Sequence, residues 1–255
     1  MKNDTRNEDQ GRVSSELKGG CLWITLHRPA KHNALSITLI DQLHDAIREA
    51  ADMPSLRSLV LAGEGRSFCA GMDLAAAGDD PEAMAGMLRS LAEVMIKIRA
   101  LPVPVIARVQ GAAIGGGCGL LTVSDFVISH PEAKLGYPEV DHGICPAVVA
   151  PCLANSIGAG RARALLLAGG LINGRRGLEI GMVNTLVEAE DLDEAVDALV
   201  SRLETGGQQA LRVTKHWLNT IEDPDLDAMF LKGADLSARI LAGAEAQERL
   251  ARRRG

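Results

Sequence analysis

The stretch Gly111-Ala112-Ala113-Ile114-Gly115-Gly116-Gly117-Cys118-Gly119-Leu120 constrains this chain more than any other. A β-branched run, Val103-Pro104-Val105-Ile106-Ala107-Arg108-Val109, leads into it, and Leu120, Leu121 and Val123 follow. The pattern predicts a strand, a glycine turn and a buried helix. Consecutive glycines let a backbone approach a ligand closely, and they leave bare N–H groups at a helix N-terminus. Such groups stabilise an oxygen that is gaining negative charge, so enolate or oxyanion chemistry is indicated. A dinucleotide-binding turn would need G-x-G-x-x-G, and a phosphate loop would need Gly-Lys followed by Ser or Thr; neither is present. A tight strand-to-helix turn with close packing would use the same glycines with no ligand at all.

Strands alternate with helices through the first two-thirds of the chain, which is an α/β pattern. Strands are expected at 22–27, 59–62, 103–109 and 126–128. Helices are expected at 37–52 (Ser36 as cap), 81–100, 146–156, 159–168 and 175–181. Residues 1–15 read as a polar, disordered tail. Beyond about residue 190 the pattern is wholly helical, with Leu192, Val196, Leu199, Val200 and Leu203 on one stripe. The expected organisation is therefore a tail at 1–15, a core at 16–190 and a helical region at 191–255 that docks on the core or on a second subunit.

A net charge of -6 argues against nucleic acid or an anionic membrane as the main partner. The five cysteines (Cys21, Cys69, Cys118, Cys145, Cys152) are odd in number and lack CxxC spacing. They read as buried thiols in a reducing compartment, with neither a disulfide framework nor a metal site. The polar N-terminal residues lack the apolar stretch of a signal peptide, and no apolar run approaches the ~18 residues of a membrane span. A cytoplasmic location is expected.

A second small-residue loop, Phe68-Cys69-Ala70-Gly71-Met72-Asp73-Leu74, follows the strand at 59–62. Alone it is an ordinary loop. Paired with the glycine turn at one edge of a sheet, it would supply a second backbone N–H. Glu139 follows Pro138 and has Val140, Ile144, Ala147, Val148 and Val149 nearby. Apolar surroundings disfavour an ionised carboxylate and make it a better base near neutrality. An exposed loop glutamate is the plainer reading, and the same holds for Asp141 and His142. Arg28 and Lys31 are candidate phosphate ligands, as is the terminal Arg252-Arg253-Arg254, which reads better as a solvated basic end. No G-x-S-x-G elbow marks a triad hydrolase.

In this order the pieces resemble the enoyl-CoA hydratase/isomerase, or crotonase, family. Four segments carry the resemblance: His27–Ser36, Phe68–Leu74, Val109–Cys118, and Gly136-Tyr137-Pro138-Glu139-Val140 with Gly143, Ile144 and Pro146. The resemblance implies a spiral of ββα units with a helical C-terminal region that builds homotrimers or dimers of trimers. It implies an acyl-CoA thioester substrate, with no cofactor beyond its CoA moiety. It places the two amides that hold the thioester oxygen at Met72 and Gly116, with Gly115 beside them, and the base at Glu139. The adenine would lie along Ala70, Gly71, Met72, Asp73 and Leu74, with Lys31 near the CoA phosphates. Helix 81–100 and the loop Gly78-Asp79-Asp80 before it would shape the acyl pocket.

One departure matters. Hydratases of the family carry a second glutamate in the helix after the glycine run, and here that position is Gly119. Hydration needs a base to activate water and an acid to protonate the α-carbon. Moving a double bond from β,γ to α,β needs one base and the oxyanion hole. An isomerase-type reaction is therefore expected. A hydratase with a rebuilt site (through Asp141, for example), a thioester hydrolase or decarboxylase, and a non-catalytic CoA-binding or RNA-binding scaffold are the alternatives.

Overall fold

The computed structural model describes residues 10–73 and 80–254, apart from the side chains of the last two. β1 (Arg12–Lys18) and β2 (Cys21–His27) form an antiparallel hairpin. α1 (Ile37–Ala51) starts at Ser36, whose hydroxyl accepts from the Leu39 N–H at 3.2 Å. β3 (Ser58–Gly63) and the short β4 (Ser67–Cys69) lead to α2 (Pro81–Ala100). α2 begins as helices do, with Pro81 in its first turn and the Asp80 carboxylate accepting from Glu82 N–H. β5 (Val105–Val109), β6 (Ala112–Ile114) and α3 (Gly116–Thr122) follow, then β7 (Phe126–Ser129) and β8 (Lys134–Gly136). A 3-10 turn (Pro138–His142) precedes α4 (Ala150–Ile157), α5 (Ala159–Ala168), β9 (Leu171–Asn173), α6 (Gly174–Ile180) and β10 (Thr185–Leu186). Four helices end the chain: α7 (Leu192–Glu204), α8 (Gln208–Glu222), α9 (Leu226–Leu241) and α10 (Ala244–Arg254).

Two sheets result. The larger has the order β1-β2-β3-β5-β7-β10, parallel from β2 onward. Its inner strands are covered on both faces, which is why they read as unbroken apolar runs. The main core, with Leu39, Leu43, Ile47, Leu91 and Met95 from α1 and α2, covers one face. Cys21, Val60, Ile106 and Ile128 on the other face pack with Leu192, Val196 and Leu203 of α7. The smaller sheet has the order β4-β6-β8-β9; its first three strands are parallel.

The hairpin corrects one expectation. Arg12–Ser15 belong to a strand paired along its whole length with β2, and are no part of a tail. The side chains of this edge strand lie mostly at the surface, so main-chain hydrogen bonds rather than apolar burial hold it. The C-terminal helices pack on the core: α9 lies along α2, and α8 sends Lys215 under the sheet, where its ammonium meets Asp125 at 2.6 Å and Val103 O at 3.0 Å. No described helix is long and apolar enough to cross a membrane.

Candidate active site

The smaller sheet explains why the motifs meet. β4, β6 and β8 are adjacent and parallel, so the loops after each leave from the same sheet edge. Those loops carry Ala70–Met72, Gly115–Gly116 and Pro138–His142. Together they line a cavity of about 430 Å³ with Leu88 and Leu91 of α2, Ile144, Val148 and Val149.

Each loop is pinned. Leu35 N–H donates to Gly71 O (2.8 Å) and Asp73 N–H donates to Leu35 O (2.9 Å), a one-residue parallel bridge between Leu35 and Met72. The bridge uses the groups flanking Met72 and turns its own N–H to the opposite side. Gly115 takes φ +54°, and its N–H donates to Gly136 O at 2.9 Å, tying the helix start to β8. The loops are in close contact. A Cβ on Gly71 (φ +89°) would stand 2.7 Å from Ile114 O and 3.5 Å from Gly116 N. A Cβ on Gly115 would stand 2.7 Å from Glu139 Oε1. The glycines are required because neighbouring backbone and the carboxylate occupy the space of a side chain.

Glu139 points into this cavity. Its Oε2 is buried with no hydrogen-bond partner. Burial pushes its carboxyl up to about 7, its own backbone amide opposes the shift, and the Asp141 charge adds to it. A carboxylate with a vacant lone pair facing an apolar pocket is suited to accept a proton from carbon. No other carboxylate lines the cavity among the described residues.

The space that a side chain at position 119 would enter is filled: its Cβ would lie 2.9 Å from Val149 Cγ1 and 3.1 Å from Met95 Sδ. The atoms beside Gly119 are therefore apolar. Asp141 does not supply a second carboxylate. It is exposed, and its carboxylate accepts from Gly170 N–H at 3.1 Å. His142 does line the cavity.

The first motif has a different part from the one expected for Arg28. This residue is 3% exposed, and its guanidinium donates to Asp73 Oδ2 (2.7 Å) and Ala34 O (2.9 Å). It is not available to a phosphate. Asn33, fully buried, donates to Ser67 O (2.7 Å) and Glu64 O (2.9 Å). The segment is a scaffold that holds β4, and through Leu35 the Met72 loop, in register. Arg28→Ala strips Asp73 of a buried partner and is expected to cost about 3 kcal/mol in a denaturant titration. Lys31 is exposed and Asp73 is turned to Arg28; neither lines the cavity. Leu74 and the loop residues Gly78 and Asp79 lie outside the described residues.

Ser237 and Leu241 of α9 also line the cavity, as does Cys145. Their part in the site was not foreseen. Ser237 Oγ donates to Cys145 O at 2.7 Å and so joins α9 to the cavity wall. Leu241 shares its helical stripe with ordinary core residues, and only the fold separates the two roles. All five cysteines are free thiols, and no metal-ligating cluster occurs among the described residues.

A strand-end cavity with paired backbone loops and one buried carboxylate defines a class, and comparison with known proteins identifies it. The family model for enoyl-CoA hydratase/isomerase matches residues 16–252, and the chain belongs to that family. A crotonyl-CoA hydratase of Syntrophomonas wolfei is 34% identical over 88% of this chain and 86% of its own length. A hydroxycinnamoyl-CoA hydratase-lyase of Pseudomonas fluorescens is 31% identical over 80% and 76%. Among solved structures, an enoyl-CoA hydratase/isomerase from Mycobacterium paratuberculosis superposes with a TM-score of 0.87 at 25% identity, covering 94% of this chain and 98% of that one. The fold is the crotonase fold.

Proposed function

We propose that this protein shifts a double bond in an enoyl-CoA thioester from β,γ to α,β conjugation, with Glu139 as its base. The observation that carries this reading is the filled position at Gly119, which leaves Glu139 as the cavity's one described carboxylate. The amides of Met72 and Gly116 polarise the thioester carbonyl. Glu139 removes a proton from the α-carbon, and the charge moves to the thioester oxygen. An oxyanion donor of this kind is worth roughly 3 kcal/mol. Collapse of the dienolate with protonation at the γ-carbon gives the conjugated product. Adding water would need a second group to hold and activate it, and Val149 and Met95 crowd the Cβ from which such a side chain at position 119 would start.

The apolar lining from Leu88, Leu91, Val148, Val149 and Leu241 suits an aliphatic acyl chain. The exposed apolar side chains of Trp217 and Ile221 on α8, with Leu167 on α5, support burial of these surfaces in a homotrimer or dimer of trimers.

The test is direct. Purified protein is mixed with trans-3-enoyl-CoA and, separately, trans-2-enoyl-CoA, and absorbance of the conjugated thioester is followed. The 3-enoyl thioester is expected to gain absorbance. Formation of a 3-hydroxyacyl-CoA from the 2-enoyl thioester at a comparable rate would replace this reading with hydration.

A further inference from the structure

The 3-10 turn that carries Glu139 presents a second proton-transfer group to the same cavity. A 3-10 helix has three residues per turn, so side chains at i and i+3 eclipse one another. Glu139 and His142 stand in that relation within Pro138–His142, and both line the cavity. Asp141, between them, turns outward to Gly170 N–H. The turn is held at both ends. Tyr137, fully buried, donates its N–H to Gly170 O at 3.2 Å. After His142, Gly143 takes φ +71°, and Ile144 N–H returns to Glu139 O at 2.9 Å. α10 braces it from behind, with Ala246 Cα 3.3 Å from where a Cβ on Gly143 would be.

We infer that His142 is a second catalytic residue, which protonates the γ-carbon while Glu139 deprotonates the α-carbon. The inference rests on the isomerase reading above. In the step, the α C–H bond breaks and its proton passes to Glu139. The electron pair enters the dienolate, the β,γ π-bond becomes α,β, and a γ C–H bond forms with the proton of the His142 imidazolium. The enzyme is then left with a protonated Glu139 and a neutral His142. Water restores both, so one proton leaves to solvent and one enters from it.

General chemistry and one further observation favour imidazole for this task. Imidazole ordinarily titrates near neutrality and so can give up and regain a proton readily. The remaining ionisable group on the wall, the Cys145 thiol, is pushed up by burial and holds its proton. Division of labour also removes a geometric demand, because a single carboxylate would have to serve two carbons in turn.

The experiment uses 3-enoyl-CoA deuterated at the α-carbon and compares wild type with His142→Gln and His142→Asn in ordinary water. Wild type is expected to deliver solvent hydrogen to the γ-carbon. Both variants are expected to isomerise about 100-fold more slowly. They should still exchange the α-deuterium with solvent at a rate within about twofold of wild type, because Glu139 is untouched. Transfer of deuterium from the α- to the γ-carbon in wild type would overturn the inference and leave the isomerase reading in place. So would unchanged isomerisation in both variants, or equal loss of isomerisation and exchange, the mark of a merely structural histidine. Wild type that isomerises no enoyl-CoA would remove the proposed function itself.

Discussion

Glu139→Gln is expected to lower isomerase activity by about 10³-fold and, in the same molecule, to raise stability above neutral pH. Both effects come from the buried, half-unpartnered carboxyl. In the proposed reaction its ionised form is the base, so the wild-type rate should rise as pH approaches about 7, the value to which burial pushes the group. Stability runs the other way. The folded protein favours the protonated carboxyl more than the unfolded chain does. The stabilising effect of that proton is complete below the ordinary value of 4.5 and is lost as pH rises to about 7. Above that point the buried charge costs at most about 3 kcal/mol. Glutamine stays neutral and avoids the cost. Thermal unfolding of both proteins across this range is expected to show equal Tm on the acid side and a gap that opens between 4.5 and 7. A gap that never opens would mean that the carboxyl is solvated, and a variant of full activity would mean that it is not the base.

Gly117→Ala is expected to be the most damaging single-methyl change near the site. The added Cβ would stand 2.1 Å from the carbonyl oxygen of Cys69 and 2.9 Å from its carbonyl carbon. These are backbone atoms of β4, and no rotamer change relieves the clash. α3 or β4 must move, and those two elements lead to Gly116 and Met72. Overpacking of this kind costs about 3 kcal/mol. In a chain of this size that corresponds to a fall in Tm of about 10 °C. Activity should fall further than folding alone explains, because the amide pair separates. Gly86→Ala is the control. Gly86 lies within α2 with nothing within 4 Å of an added Cβ, and alanine there should leave activity unchanged and stability equal or slightly higher. Equal effects from the two substitutions would contradict the packing described.

How much of this was legible in the sequence depended on what each segment buries. Helix α2 came out with its ends in place because Asp80 and Pro81 mark its start and an apolar stripe from Met84 to Ile98 runs its length. The inner strands of the larger sheet were visible because burial on both faces makes them continuous apolar runs. β4 was read as part of a loop and β6 as part of the glycine turn, and β8 and β9 were not read as strands. Each is three residues long, too short for a two-residue period to show, yet this sheet is what assembles the site. β1 was lost for the opposite reason, since its exposed Arg12, Glu16 and Lys18 carry a polar signature while the backbone pairs fully with β2. Arg28 was misjudged because a cation in sequence does not reveal whether water or a carboxylate surrounds it. The vacancy at Gly119 was plain from the motif. That Val149 and Met95 fill it required the fold.

The brace that α10 applies to the Glu139 turn has a consequence for synthesis. The amide pair is built from residues before Gly117, and Glu139 itself emerges soon after. Ala246 and Arg249, which rest against Gly143 and the carbonyl of Asp141, leave the ribosome long after Glu139 does. A nascent chain therefore lays down the Met72 and Gly116 loops well before the Glu139 turn is steadied. That turn gains its rear support only once α10 has been made.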